Sequence, residues 1–207
     1  DTGSQLACLA VEAHPGETVI DLCAGAGGKT LALAADMAGT GRLIACDTDR
    51  ARLSRLAPRA ARAGVPPIDT RLLGPGREIE ALGDLAGTAE AVLIDAPCSG
   101  TGTWRRNPEA RWRLTPQELA RLTAIQARLL DLGTALVRPG GRLVFVTCSL
   151  LDAEGADQAA AFLARHPDWR VEPLDLGAGT PRGEGLRLDP AQDTTDGFFI
   201  ARLAAPW

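Results

Sequence analysis

The chain has 207 residues, 45% of them hydrophobic and 23% charged, with a net charge of −4 at pH 7. That balance excludes a protein that grips nucleic acid by overall charge, which is normally basic, so any nucleic-acid contact needs a local patch or another domain. The hydrophobic share supplies one substantial core, and no apolar run is long enough to span a membrane.

In chain order, Ser4 to Ala13 reads as a short apolar helix stopped by Pro15-Gly16. "TVIDL", Thr18 to Leu22, is a continuous apolar strand, followed by "CAGAGGKT" and an Ala/Leu-rich helix from Lys29 to Ala38. "GRLIACD", Gly41 to Asp47, is the next strand, and Arg50 to Ala63 the next helix, ended by Gly64 and Pro66-Pro67. "IDTRLL" is a weaker strand, and "GPGREIEALGDLAG" reads as loop. Ala91 to Asp95 is a strand that runs into a long Arg/Trp-rich loop, Ala96 to Pro116. Leu119, Leu122, Ile125, Leu129, Leu132 and Leu136 recur at helical spacing within Gln117 to Val137. A strand at Arg142 to Thr147, a helix at Asp152 to Arg165, a weak strand near Trp169 to Leu174, a Gly-rich loop and a last strand at Gly197 to Leu203 complete the chain.

Strands alternating with helices predict a mostly parallel sheet covered on both faces. Ligands of such sheets bind beyond the carboxyl ends of the strands, so the residues just after each strand are the ones to inspect. The long loop after Asp95 is also a functional candidate, because structureless loops of that length are uncommon in compact domains.

Four stretches carry chemistry. In "DLCAGAGGKT", Gly25, Gly27 and Gly28 clear side chains from a strand-to-helix turn and let a ligand approach the backbone. Neither a Walker loop nor the full G-x-G-x-x-G pattern is present. Asp47 ends the second strand about twenty residues on, where an acid accepts hydrogen bonds from both hydroxyls of a ribose. Turn and acid together point to an adenosine-containing cofactor, without saying which; a solvated acid at a strand end is the bland alternative. The third stretch is "AVLIDAPCSGTG", Ala91 to Gly102, which pairs with "RLVFVTCS", Arg142 to Ser149. Both strands end on cysteines, Cys98 and Cys148, at the ligand-facing edge of the sheet. A helix beginning at Ser149 to Asp152, or arginines from the loop, would lower a thiol there and make it a nucleophile. Cys8, Cys23 and Cys46 read as small buried hydrophobes, although Cys23 is also placed to line the cofactor loop. The odd, widely spaced cysteines and the lack of a secretory signal predict free thiols in a reducing, cytoplasmic setting. No CxxC pair exists and His14 and His166 lie far apart, so no metal site is expected. The fourth stretch, "TWRRNPEARWRLTP", interleaves Trp104 and Trp112 with Arg105, Arg106, Arg111 and Arg113, a composition suited to stacking and phosphate contact or to an ordinary surface loop with buried tryptophans.

Together, "DLCAGAGGKT", "DAPCSGTGTWRRNPEARW", "RPGGRLVFVTCSL" and "DGFFIARL" resemble, in order and over nearly the whole chain, the RsmB/Nol1/Nop2/Sun family of RNA 5-methylcytosine methyltransferases. The resemblance implies an α/β, Rossmann-like class I methyltransferase fold: a mostly parallel seven-stranded sheet, helices on both faces and an antiparallel C-terminal strand. It implies S-adenosylmethionine as methyl donor and a cytosine in RNA as acceptor, with ribosomal RNA ahead of transfer RNA. Carried over by position, Cys148 corresponds to the nucleophile that attacks C6 of the base. Cys98 corresponds to the residue that promotes product release, and Asp95 to the acid at the target base and cofactor. Cys23, Ala24, Gly25, Ala26, Gly27, Gly28 and Lys29 would surround the amino-acid end of the cofactor, with Lys29 alternatively structural, and Asp47 would hold its ribose. Residues 1–207 then form one catalytic domain, expected to be monomeric and to belong to a longer chain whose N-terminal RNA-binding domain is absent here.

Two departures from the family pattern stand out. Gly25-Ala26 occupies a site where many members have Ala-Pro. Gly74-Pro75-Gly76-Arg77 stands where the family often carries Gly-Asp-Gly-Arg, its Asp near the adenine amine. Pro75 offers no acceptor, so adenine needs a backbone group or another residue. The lost acid favours a binding module without turnover, which the intact cysteine pair opposes. An NAD-dependent oxidoreductase would explain the glycines and Asp47 and leave the second cysteine without a role.

Overall fold

The computed structural model describes residues 1–207. In chain order its strands are β1 (Thr18–Asp21), β2 (Arg42–Asp47), β3 (Asp69–Leu72), β4 (Ala89–Asp95), β5 (Val137–Thr147), β6 (Arg170–Glu172), β7 (Thr180–Arg182), β8 (Gly185–Leu188) and β9 (Phe198–Ala204). Its α-helices are α1 (Thr2–Leu9), α2 (Gly28–Asp36), α3 (Arg50–Leu53), α4 (Leu56–Arg62), α5 (Glu78–Leu82), α6 (Pro116–Leu136) and α7 (Ala156–Arg165). Five strands run parallel in the order β3-β2-β1-β4-β5, and β9 lies antiparallel beside β5.

The central strands read as apolar runs because both of their faces are covered. Val19, Leu93, Val144 and Val146 face α1 and α2, while their chain neighbours Ile20, Val92, Ile94 and Phe145 face α6 and α7. On the latter side Phe145 packs edge-to-face on Phe199 at 6.3 Å, and Phe162 of α7 on Trp169 at 5.4 Å. Burying each such ring contributes about 1.5–3 kcal/mol. Thr115 caps α6, its hydroxyl accepting the Glu118 N–H at 3.2 Å, with Pro116 at the first helical position.

The Rossmann-like class expected from the sequence is present. The sheet has nine strands rather than seven, because the Gly-rich tail folds into the β7-β8 hairpin and β6 also pairs with β9. The helix expected from Arg50 to Ala63 is broken at Ser54 and Arg55. Pro58 has no N–H to return to the Ser54 carbonyl, so α3 and α4 are separate. The segment after β3, expected as loop, holds α5 and a 3-10 turn whose Leu82 and Leu85 are fully buried. The helix expected to start at Asp152 begins only at Ala156, after a 3-10 turn at Asp152–Glu154.

Candidate active site

Register sets the site. Asp21 of β1 pairs with Ala45 of β2 and Leu93 of β4, so two residues further on Cys23, Asp47 and Asp95 stand abreast beyond the strand ends. Adjacent strands are about 4.8 Å apart, which puts about 10 Å between the Asp47 and Asp95 positions. These residues line a cleft of 490 Å³, together with Cys98 and Cys148 on one side and Leu73, Pro75 and Glu78 on the other. Ile125, Arg128 and Leu129 of α6 close it from above the sheet. The volume falls in the usual range for small-molecule sites, and the acids are spaced by strands rather than clustered, as an elongated ligand with several hydrogen-bond donors requires.

Ala24, Gly25, Ala26, Gly27 and Gly28 form the turn from β1 into α2 beside this cleft. Gly27 has φ +84°, and a Cβ there would collide with the Leu56 side chain, so neither the turn nor its packing on α4 tolerates another residue. Asp47 braces the turn: one carboxylate oxygen accepts the Gly25 N–H at 2.7 Å and the other the Asp49 N–H at 2.7 Å. Each oxygen keeps a second lone pair for a ligand hydroxyl. Lys29, in the first turn of α2, donates to Asp95 Oδ2 at 2.7 Å, with side chains 12% and 31% exposed. Burial alone would lower the Lys29 ammonium, but Asp95 more than offsets it and holds the group above its ordinary value.

The two thiols of the sequence motifs meet. Cys98 Sγ lies 3.4 Å from Cys148 Sγ, at the ends of the neighbouring strands β4 and β5. The Cys148 thiol is held below its ordinary value by the Cys98 hydrogen bond, aided by the Lys29 ammonium, against burial and the Asp95 charge. Cys98 is pushed well above the ordinary value by that same bond, by burial and by the Glu154 carboxylate. No helix N-terminus backs Cys148, since α7 starts too late; the activating groups are Cys98 and Lys29. Burial raises the other three thiols, Cys8 to about 12 and Cys23 and Cys46 well above the ordinary value, so they are inert. Cys23 nevertheless lines the cleft.

Glu154 and Gln126, which hold the pair, were not picked out from the sequence. Glu154 is fully buried, and its carboxylate accepts the Ser99 N–H at 2.9 Å, the Ser99 hydroxyl and the Gln126 side-chain amide at 3.1 Å. Gln126 also donates to the Pro97 carbonyl at 3.0 Å. Thr101 Oγ1 sits 3.0 Å from the Ser149 hydroxyl and accepts the Leu150 N–H at 2.8 Å. Gly102 donates its N–H to the Cys148 carbonyl at 3.0 Å and accepts the Gly197 N–H at 2.9 Å. A Cβ on Gly102 would strike the Gly197 backbone. Gln126 left a legible signal, a polar residue on the apolar face of α6 between Leu122 and Leu129. Glu154 left none, because an acid near a helix start is ordinarily solvated.

The Arg/Trp segment divides. Arg106 binds the buried Asp196 carboxylate, its Nε at 2.8 Å, and is an anchor. Trp112 is 77% exposed, with the Arg111 guanidinium 4.5 Å from the centre of its ring.

A family model described as 16S rRNA methyltransferase RsmB/F matches residues 8–204. The chain belongs to that family. Ribosomal RNA small subunit methyltransferase B of Thermus thermophilus is 40% identical over 97% of this chain and 48% of its own length. The structure of NSun6 from Pyrococcus horikoshii, solved with SFG, superposes with a TM-score of 0.85 at 27% identity, over 97% of this chain and 51% of that one. A methyltransferase homolog protein from the same organism superposes at 0.81 with 31% identity, over 98% and 66%. The chain thus spans about half the length of the RsmB/F relatives it matches. Pro75 lies in the cleft wall without an acceptor side chain.

Proposed function

We propose that this chain carries the catalytic site of an S-adenosylmethionine-dependent RNA methyltransferase that modifies C5 of a cytosine, in ribosomal RNA. The paired thiols of Cys98 and Cys148, 3.4 Å apart beside the Lys29–Asp95 ion pair, are the observation that carries this reading. When bound, S-adenosylmethionine supplies the methyl group, and its ribose hydroxyls suit the free lone pairs of Asp47. Cys23 and the turn from Ala24 to Lys29 then flank its amino-acid end, Lys29 acting through Asp95.

C5 of cytosine is a poor nucleophile inside an aromatic ring. Addition of the Cys148 thiolate to C6 breaks the aromaticity and makes C5 enamine-like. Asp95 Oδ2 is taken by Lys29, which leaves Oδ1 for the N4 amine of the base. After methyl transfer the C5 proton must be removed before the C6–S bond breaks. Cys98 suits that role at that moment. Once Cys148 is a thioether, the neighbouring thiolate that held up the Cys98 proton is gone, and Cys98 ionises more readily. Its thiolate takes the C5 proton, the ring regains aromaticity and Cys148 leaves as thiolate.

The base must be splayed out of its stack to reach this cleft. Trp112 and the exposed Arg105, Arg111 and Arg113, on the loop that follows β4, offer stacking and phosphate contacts. With a net charge of −4 this patch is a weak grip, and further RNA affinity comes from a region outside these 207 residues. The test is methylation of ribosomal RNA read by bisulfite sequencing. Cys148→Ala is expected to abolish it, and Cys98→Ala to accumulate a protein–RNA adduct stable to denaturant. Full methylation by Cys148→Ala would overturn the reading.

A further inference from the structure

The strand order turns the cleft into a ruler. Cys148, just past the end of β5, marks where the methyl group must arrive, and Asp47 on β2 stands three strands away. A ribose held at Asp47 carries its base on C1′ and its sulfur-bearing C5′ on C4′, to either side of the ring oxygen. If the sulfur side faces β4 and β5, the base is directed over β3, the outer strand. There the cleft wall is Leu73, Pro75 and Glu78, with Ile125 and Leu129 above. Four apolar side chains make a slot for a flat base, and Glu78 is its one acid.

Glu78 is built to stay in place. It is only 5% exposed, and its Oε1 accepts the Arg128 guanidinium at 2.5 Å and the Gly76 N–H at 3.1 Å. Burial pushes its carboxyl up, and the Arg128 bond, its own backbone N–H and the Gly76 N–H more than offset it, so the group lies below its ordinary value. The Arg128 and Gly76 bonds both fall on Oε1, so neither occupies Oε2. We propose that Glu78, fixed by Arg128, accepts the 6-amino group of the cofactor's adenine and makes this site select adenine over hypoxanthine. The proposal rests on the cofactor reading above and adds the residue that does the work Pro75 is unable to do.

The test is isothermal titration of the full chain with S-adenosylhomocysteine and with S-inosylhomocysteine, which carries a 6-oxo group in place of the amine. The wild type is expected to prefer the adenosyl ligand by about tenfold or more, the worth of one hydrogen bond to a charged group. In Glu78→Gln the amide can turn to donate to the 6-oxo group, and the two affinities are expected to fall within about threefold of each other. Glu78→Asp, which withdraws the carboxylate by one methylene and keeps the charge, is expected to weaken the adenosyl ligand alone and serves if the Gln variant does not fold. Equal wild-type affinity for both ligands, or discrimination unchanged in Glu78→Gln, would overturn the assignment and leave the cofactor reading standing. So would a Gln variant that loses both ligands equally, which marks a purely structural ion pair. Failure of the wild type to bind either ligand at millimolar concentration would sink the cofactor reading and the Glu78 assignment with it.

Discussion

Glu154 and Ser99 join the two thiol-bearing loops: the buried carboxylate accepts the Ser99 N–H at 2.9 Å from across the site, 55 residues away in sequence. Ser99 follows Cys98, and Glu154 sits in the turn after Cys148, so this contact fixes one sulfur relative to the other. Glu154→Ala is expected to remove the acceptor of the Ser99 N–H and of one Gln126 amide N–H, the other staying on the Pro97 carbonyl, at a cost of about 2–4 kcal/mol. Urea denaturation checks the stability, and loss of the thiol coupling described next checks the geometry. A variant within about 0.5 kcal/mol of wild type would show that the loops hold themselves.

Alkylation should single out one cysteine. With iodoacetamide near pH 7, Cys148 is expected to react first, and Cys8, Cys23 and Cys46 to remain unmodified in the folded protein. Cys98→Ala removes the hydrogen bond that lowers Cys148, so the pH at which Cys148 reacts at half its limiting rate is expected to rise. Peptide mass mapping across a pH series measures this. An unchanged midpoint would place the activation with Lys29 alone.

Asp21 makes stability depend on pH. It is fully buried, and burial lifts its carboxyl from 3.8 to about 7, although Oδ2 accepts the Thr30 hydroxyl at 2.6 Å. Oδ1 has no hydrogen-bond partner. Between those two values the folded chain keeps the Asp21 proton and the unfolded chain has lost it. The unfolded state therefore binds fewer protons, and stability falls as pH rises through that window. Asp21→Asn is expected to shrink the loss of stability between pH 5 and pH 8. Guanidinium midpoints at the two pH values decide it; an equal loss in both proteins assigns the effect elsewhere.

Trp112 separates binding from folding. It is exposed, so Trp112→Ala is expected to change stability by less than about 0.5 kcal/mol. Loss of base stacking is expected to weaken RNA binding by about 1–3 kcal/mol with little change in the salt dependence, since no phosphate contact is lost. Fluorescence anisotropy with a single-stranded RNA at two salt concentrations reads both. Unchanged affinity would make Trp112 a bystander.

The reacting groups were legible because strand–turn signatures are local. "DAPCSG" and "VTCS" each end an apolar run on a thiol, and a parallel sheet brings such ends to one edge. Asp47 was legible for the same reason. The partners were not, because they depend on what folds against the edge. Nothing in "LLDAEG" distinguishes Glu154 from a solvated acid until α6 brings Gln126 onto it. Glu78 lies in a five-residue helix, too short to show a period, among Gly and Pro that read as loop. The split of α3 from α4 was visible in principle, since Pro58 stands inside the expected helix.

The closure of Gly102 between the Cys148 carbonyl and the Gly197 N–H has a consequence for synthesis. The loop that carries Cys98 is clamped by a residue made 95 positions after Gly102, at the start of the last strand. A ribosome that has produced Asp95, Cys98 and Cys148 has therefore still not produced a finished site. The nascent chain already holds Glu154 and Gln126 to brace the Cys98 loop, and only the Gly197 clamp waits for β9 to emerge and slot in beside β5. The loop that carries Cys98 thus gains its last backbone clamp only when the final strand is in place.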